Sequence, residues 1–278
     1  MKTLVTFASI LLLASLNASA AESVTKTNAW TETYAVTALA PRLEISNIWG
    51  NVRVRPGKAG EISVTIDERR SAPTQALFDL SLDALPLLIQ ADASGVVFQV
   101  GAPSDRWNHR DACAGCRVDY QFEVLVPPGT LVDVGTVTDG RIDIAGIAGK
   151  VSASNVNGPI SVSDLSDCDV LESVNGEVDI SFVGAPGTNC TIETINGDIT
   201  LTMPDGAGLD VALDIYNGTM VSEFNVDSFV LPAQIEQRSD DGRYHYRIQQ
   251  SAGLRVAGGG PVFAMSSLNG DIRIQKTQ

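Results

Sequence analysis

The chain has 278 residues, of which 44% are hydrophobic and 19% charged, and its 33 acidic and 19 basic residues give a formal charge of −14. That composition excludes a disordered chain, and an acidic surface repels the phosphates of nucleic acid and of anionic lipid. The length allows one or two domains with a sizeable core.

Residues 1–20 read as a signal peptide. Lys2 supplies the charge, Leu4 to Leu16 an apolar run, and Ala18-Ser19-Ala20 the small residues expected before cleavage at Ala21. The run is shorter than the roughly 20 apolar residues that span a bilayer. Cleavage would remove one charged residue, Lys2, and take the formal charge from −14 to −15. No Cys stands at the cleavage point for lipid attachment, and no later stretch has the apolar length of a membrane helix. The four cysteines of an exported chain then read as disulfides.

Residues 21–129 form an N-terminal β-rich segment in this reading. Arg42 to Ile48, Asn51 to Arg55 and Glu61 to Asp67 alternate polar with apolar residues, the pattern of half-buried strands. Trp49-Gly50-Asn51-Val52 is a degenerate copy of a phrase that recurs later. Ala72 to Leu85 is the one expected helix, with Leu77, Leu80 and the Leu82/Leu85 pair inward, Pro73 in its first turn and Pro86 closing it. Two strands joined at Ala93-Ser94-Gly95 follow as a hairpin. A polar loop from Gly101 to Arg117 comes next, then a strand from Val118 to Val126 stopped by Pro127-Pro128-Gly129.

Residues 130–278 carry the recurring phrase. Asn157-Gly158, Asn175-Gly176, Asn196-Gly197, Asn217-Gly218 and Asn269-Gly270 each stand between two short alternating runs; Asp139-Gly140 is an imperfect copy. A repeat of 18 or 21 residues is too short for a helix pair or a propeller blade. It fits one coil of a single-stranded parallel β-helix or β-solenoid, in which stacking supplies the core that one coil lacks. The expected fold is therefore all-β. Leu171, Val174, Val178 and Ile180 of one coil, and Ile192, Ile195, Ile199 and Leu201 of the next, would face inward. At each corner Gly would supply positive φ, and the asparagines would form an amide ladder up the stack. Independent Asn-Gly hairpins are the competing reading. After Gly218 the period breaks: an excursion near residues 223–262 precedes a closing coil at Gly270, which would cap the stack.

These features together resemble the bacterial putative adhesin family of unknown function, a relative of the head-GIN domain. The likeness lies in the alternating N-terminal segment, Val126-Pro127-Pro128-Gly129-Thr130, the Asn-Gly-x-Ile-x-Ile coils at Asn175 to Ile180 and Asn196 to Leu201, and the ending Leu268 to Ile274. It implies a periplasmic or cell-surface bacterial β-solenoid and brings no catalytic residues.

Candidate chemistry is sparse. Cys113-Ala114-Gly115-Cys116 reads as a short disulfide, a redox dithiol, or a metal site recruiting His109 and Asp111. Cys168 lies eight residues before Gly176 and Cys190 seven before Gly197, so they meet at one corner of successive coils and are expected to bridge. Glu177, Asp179 and Asp198 would stack on an outer face, where paired carboxylates can perform acid–base work on sugars. Solubility alone also predicts polar residues there. His245 has no nucleophile motif near it, and Trp30, Trp49, Trp107, Tyr244 and Tyr246 could stack on sugars or fill cores. The sequence thus points to a non-catalytic, exported protein without cofactor or metal. Its expected partner is a surface, envelope or glycan ligand and not nucleic acid; the alternative is a carbohydrate-active β-helix.

Overall fold

The computed structural model describes residues 23–101, 113–230, 234–240, 243–249 and 252–277, with only the backbone of the strands between 231 and 251. The expected signal peptide, Trp107, His109 and Asp111 lie outside the described residues, as do the side chains of Tyr244, His245 and Tyr246.

The fold is all-β with one helix. In chain order the first elements are β1 (Val24–Ala35), β2 (Arg42–Ser46), β3 (Val52–Pro56), β4 (Glu61–Ala72), α1 (Gln75–Ala84), β5 (Leu87–Asp92), β6 (Gly95–Val100) and β7 (Arg117–Val126). The phrase-bearing strands follow: β8 (Leu131–Thr138), β9 (Ile142–Ala145), β10 (Lys150–Asn157), β11 (Ile160–Leu165), β12 (Asp167–Asn175), β13 (Val178–Phe182), β14 (Cys190–Asn196), β15 (Ile199–Met203), β16 (Leu209–Asn217) and β17 (Met220–Ser222). The last are β18 (Val226–Val230), β19 (Gln234–Asp240), β20 (Arg243–Gln249), β21 (Ala252–Val256), β22 (Val262–Asn269) and β23 (Ile272–Lys276).

Two sheets share these strands. The first runs β1-β4-β7-β3-β9-β11-β13-β15-β23-β17, and the second β18-β21-β16-β22-β14-β12-β10-β8-β2-β6-β5; β19 and β20 pair apart. From β8 to β17 the chain alternates between the sheets, and each strand pairs in parallel with neighbours from other phrases. The Asn-Gly phrase is the corner where the chain leaves the second sheet for the first. Inward residues of both sheets, such as Leu171, Ile192, Val178 and Ile199, are fully buried in one continuous core. Each such side chain contributes about 1.5–3 kcal/mol by leaving water.

Both sheets are mixed, so they depart from the wholly parallel stack expected. β4 is antiparallel to β1 and β7, β5 to β6, and β21 to β16 and β18. These strands lie at the ends of the sheets, where they cover edges that would otherwise template pairing with another chain.

The chain order is also broken at both ends. The β2/β3 unit sits between β6/β7 and β8/β9. The Gly270 unit, β22/β23, ends the chain without capping the stack, since it lies between β14/β15 and β16/β17. Register explains this. Asn269 aligns with Asn196 on one side and Asn217 on the other, so the shared phrase lets the last unit enter the gap.

The helix buries a different stripe from the one expected. Thr74 is the N-cap, and its side chain accepts from the Leu77 N–H, so Pro73 lies before the helix. Phe78, Ser81 and Leu85 are buried, whereas Leu80 and Leu82 are exposed. The reason is Arg70 of β4. Its guanidinium is 4% exposed, pairs with Glu68 at 2.7 Å, and donates to the Ser81 and Leu85 carbonyls at the helix C-terminus and to Tyr120 Oη. A cation there satisfies orphan carbonyls and complements the helix dipole. The small Ser81 leaves room for it.

Candidate functional site

Each corner holds its glycine by close approach. A Cβ on Gly176 would lie 2.1 Å from the Gly158 carbonyl oxygen, one on Gly197 2.1 Å from that of Gly176, and one on Gly270 2.0 Å from that of Gly197. Gly218 meets the Gly270 carbonyl in the same way at 2.0 Å, and Gly158 meets Gly140 at 2.0 Å. The expected positive φ occurs at Gly158 (+153°) and Gly270 (+156°) but not at Gly176, Gly197 or Gly218. None of the corner asparagines has positive φ. The glycines are needed because the backbone of the next unit occupies the space of a side chain.

The corner asparagines form a continuous run of side-chain amide hydrogen bonds. Asn157 Nδ2 donates to the Val137 carbonyl at 3.2 Å, Asn175 to Asn157 Oδ1 at 2.9 Å, and Asn196 to Asn175 at 2.8 Å. Asn269 then donates to Asn196 at 2.8 Å, and Asn217 to Asn269 at 2.9 Å. The ladder therefore follows the spatial order of units and not the chain order.

A second ladder runs inside the corner. Thr136 donates to the Gly50 carbonyl at 3.3 Å, Asn155 to Gly140 at 2.8 Å, Ser173 to Gly158, Thr194 to Gly176 and Ser267 to Gly197, the last three at 3.3 Å. All five side chains are buried. Asn47 plays the same part in the β2/β3 unit, donating to Gly50 and Tyr120 carbonyls. The signal was legible: a small polar residue stands three positions before Gly50, Gly158, Gly176, Gly197 and Gly270.

This inner ladder reverses one expected column. Period-two alternation continues to the corner, so Leu171 and Ser173 point in while Glu172 and Val174 point out. Val174 is half-buried and Ile195 is 44% exposed, against the expectation that both face the core. Val137, Val156, Val174, Ile195, Leu268 and Tyr216 thus form an outward apolar column along the second sheet, in register across six strands.

Beside it runs a column of Ser154, Glu172, Glu193, Ser266 and Asp214. Together the two columns line a groove of about 540 Å³ across five strands. Asn155 also lines it, is 2% exposed, and its Oδ1 is the one buried side-chain oxygen or nitrogen without a hydrogen-bond partner among the described residues. Glu172, Glu193 and Asp214 have no ion pair among the described residues.

The first sheet's outer face differs. Asp143 pairs with Arg55 at 2.7 Å and Arg53 at 3.5 Å. Asp198 pairs with Arg273 at 2.6 Å and Asp271 with the same guanidinium at 3.0 Å. The Arg273 hydrogen bond, helped by the Asp271 N–H, holds the Asp198 carboxyl below the usual range. A general acid needs the opposite shift. Asp179 has Ser161 and Thr200 as its register neighbours, so no second carboxylate flanks it across the sheet. The cleft that includes Asp179 is about 230 Å³, lined otherwise by Ser, Thr, Val162 and Ile180.

Both cysteine pairs are disulfides. Cys168 and Cys190, on neighbouring β12 and β14, have Cα atoms 5.5 Å apart and are buried in the core. Cys113 and Cys116 close a tight turn, with their sulfurs 3.2 and 3.4 Å from the Leu77 carbonyl oxygen. Trp30 and Trp49 pack against the core. Among the described residues no cluster of three or more His, Cys, Asp or Glu is arranged to hold a metal, and no helix is long and apolar enough to cross a membrane.

No family model matches the chain, and no curated protein matches it. Among solved structures it is similar to a putative cell adhesion protein from Clostridium sporogenes, with 10% identity and a TM-score of 0.45 over 90% of this chain and 100% of that one. A putative adhesin from Bacteroides fragilis is similar at 10% identity and a TM-score of 0.36, over 90% of this chain and 97% of that one. A putative lipid binding protein from Parabacteroides distasonis has 10% identity and a TM-score of 0.22 over the same shares, 90% and 97%.

Proposed function

We propose that the chain is an exported, non-catalytic bacterial binding protein of adhesin type. In this reading it is a β-solenoid of the head-GIN-related kind, and the groove on its second sheet is the binding face. The observation that carries the reading is the pairing of columns: six apolar residues face outward in register beside three carboxylates without an ion pair among the described residues. A contiguous apolar patch rimmed by polar residues often marks a binding surface. The leader-like residues 1–20 and the two disulfides support an oxidising, exported setting. The carbohydrate-active alternative lacks comparable support, because Asp198 is committed to Arg273.

The test is a solid-phase binding assay. The exported form is exposed to purified bacterial envelope polymers and surface proteins, alongside an Ile195→Asp/Leu268→Asp variant. Retention of a component by the native protein and its loss in the folded variant is the expected result. Retention that is unchanged in the variant would remove the groove from the account.

A further inference from the structure

The partner's chemistry can be taken further, on the reading that the groove binds. We infer that the groove docks a cationic amphipathic α-helix lying along the stack.

Three properties of the surface select that occupant. The first is shape. The apolar column crosses six strands at the normal strand spacing of about 4.8 Å, a track of about 24 Å, which about 16 helical residues would cover. The second is period. A helix repeats its apolar stripe about every 5.4 Å along its axis, close to the strand spacing, so successive turns can address successive strands. An extended peptide laid the same way places alternate side chains about 6.6 Å apart and loses register within a few strands.

The third is charge. Glu172, Glu193 and Asp214 lie on one side of the apolar column, exposed and unpaired among the described residues. Lysines or arginines flanking a helix's apolar stripe would meet them. On the first sheet, by contrast, Arg53, Arg55 and Arg273 already neutralise Asp143, Asp198 and Asp271. Asp179 on the first sheet also has no ion pair among the described residues, but its register neighbours are Ser161 and Thr200. In the groove, Glu172 and Glu193 stand side by side in one column that Asp214 shares.

The same properties disfavour other occupants. A second copy docked face to face would bury the unpaired carboxylates of both molecules in one interface, at a large desolvation cost. A glycan finds one aromatic platform in the groove, Tyr216. An anionic lipid surface is repelled.

The probe is a synthetic Leu/Lys peptide of about 18 residues with Leu at helical spacing and Lys on the flanks. It is titrated calorimetrically into the native protein, a Glu172→Gln/Glu193→Gln/Asp214→Asn variant and an Ile195→Ser/Leu268→Ser variant. A second peptide has the same composition in scrambled order. Saturable binding to native protein, weakened about tenfold or more by loss of the three charges and weaker still in high salt, is the expected result. Both variants alter exposed positions, and their folding is checked by thermal melting. Equal binding by the charge variant, equal binding of the scrambled peptide, or no binding would each overturn the inference. So would sedimentation showing that native protein self-associates through the groove. If envelope binding in the solid-phase assay still depends on Ile195 and Leu268 while the peptide is ignored, the occupant is wrong and the binding face stands.

Discussion

Thr194 donates its hydroxyl to the carbonyl oxygen of Gly176, one unit away in the stack, at 3.3 Å. That bond explains why a polar residue faces inward at the corner while its neighbour Ile195 faces out. The Gly176 carbonyl points at the next glycine and needs a donor, which only a small polar side chain on the inner face can supply. Thr194→Val keeps the shape and removes the donor. The expected cost is about 1–3 kcal/mol in denaturant unfolding, the penalty for a buried acceptor left unpaired. Ile195→Thr, on the outer side of the same strand, is expected to cost less than about 0.5 kcal/mol.

Gly176→Ala tests the close approach. Its Cβ would lie 2.1 Å from the Gly158 carbonyl oxygen, so the strands of two units must separate. A loss of about 3 kcal/mol or failure to fold is expected. Gly184→Ala is the matched control, since nothing lies within 4 Å of its added carbon. Equal melting temperatures for the two variants would refute a steric role for the corner glycines.

The corner shows how far sequence reasoning reached. The Asn-Gly phrase marks the corners at Gly158, Gly176, Gly197, Gly218 and Gly270, and its frame brings Cys168 and Cys190 to neighbouring strands. The direction of Val174 and Ile195 was misread because hydrophobicity alone was followed into the corner, where strict alternation governs. Taking Val174 and Ile195 for core hides the groove, since these two stand in the middle of its apolar column. The place of the last unit was also beyond the sequence. Gly270 carries the same phrase as Gly218, and only register decides which of them ends the stack.

Breaking the Cys168–Cys190 bridge is expected to loosen the stack between β12 and β14. The sequence separation of 22 gives about 3 kcal/mol by loop-closure entropy, and the Cys168→Ala/Cys190→Ala variant should melt correspondingly lower. A thiol assay on unreduced, denatured native protein should find none of its four cysteines reactive.

Tyr120 gives a pH signature. Burial, with the nearby Glu68 charge, pushes its hydroxyl up to about 12 despite the Arg70 bond. The folded state then holds this proton more tightly than the unfolded state. Its contribution is complete below pH about 10 and is lost as pH rises to about 12, a fall of about 2–3 kcal/mol. Tyr34, also pushed up by burial and Glu32, adds to the fall. Chemical denaturation between pH 9 and 12 should therefore show a shallower decline in Tyr120→Phe than in native protein. Parallel declines would contradict the assignment.

The binding face itself can be read residue by residue. Methyl-labelled native protein is titrated with the Leu/Lys helix, and Val, Leu and Ile shifts are followed by NMR. The account predicts perturbations concentrated at Val137, Val156, Val174, Ile195 and Leu268, with Val221 on the first sheet unmoved. Perturbations centred on the first sheet, or spread evenly over both, would contradict it.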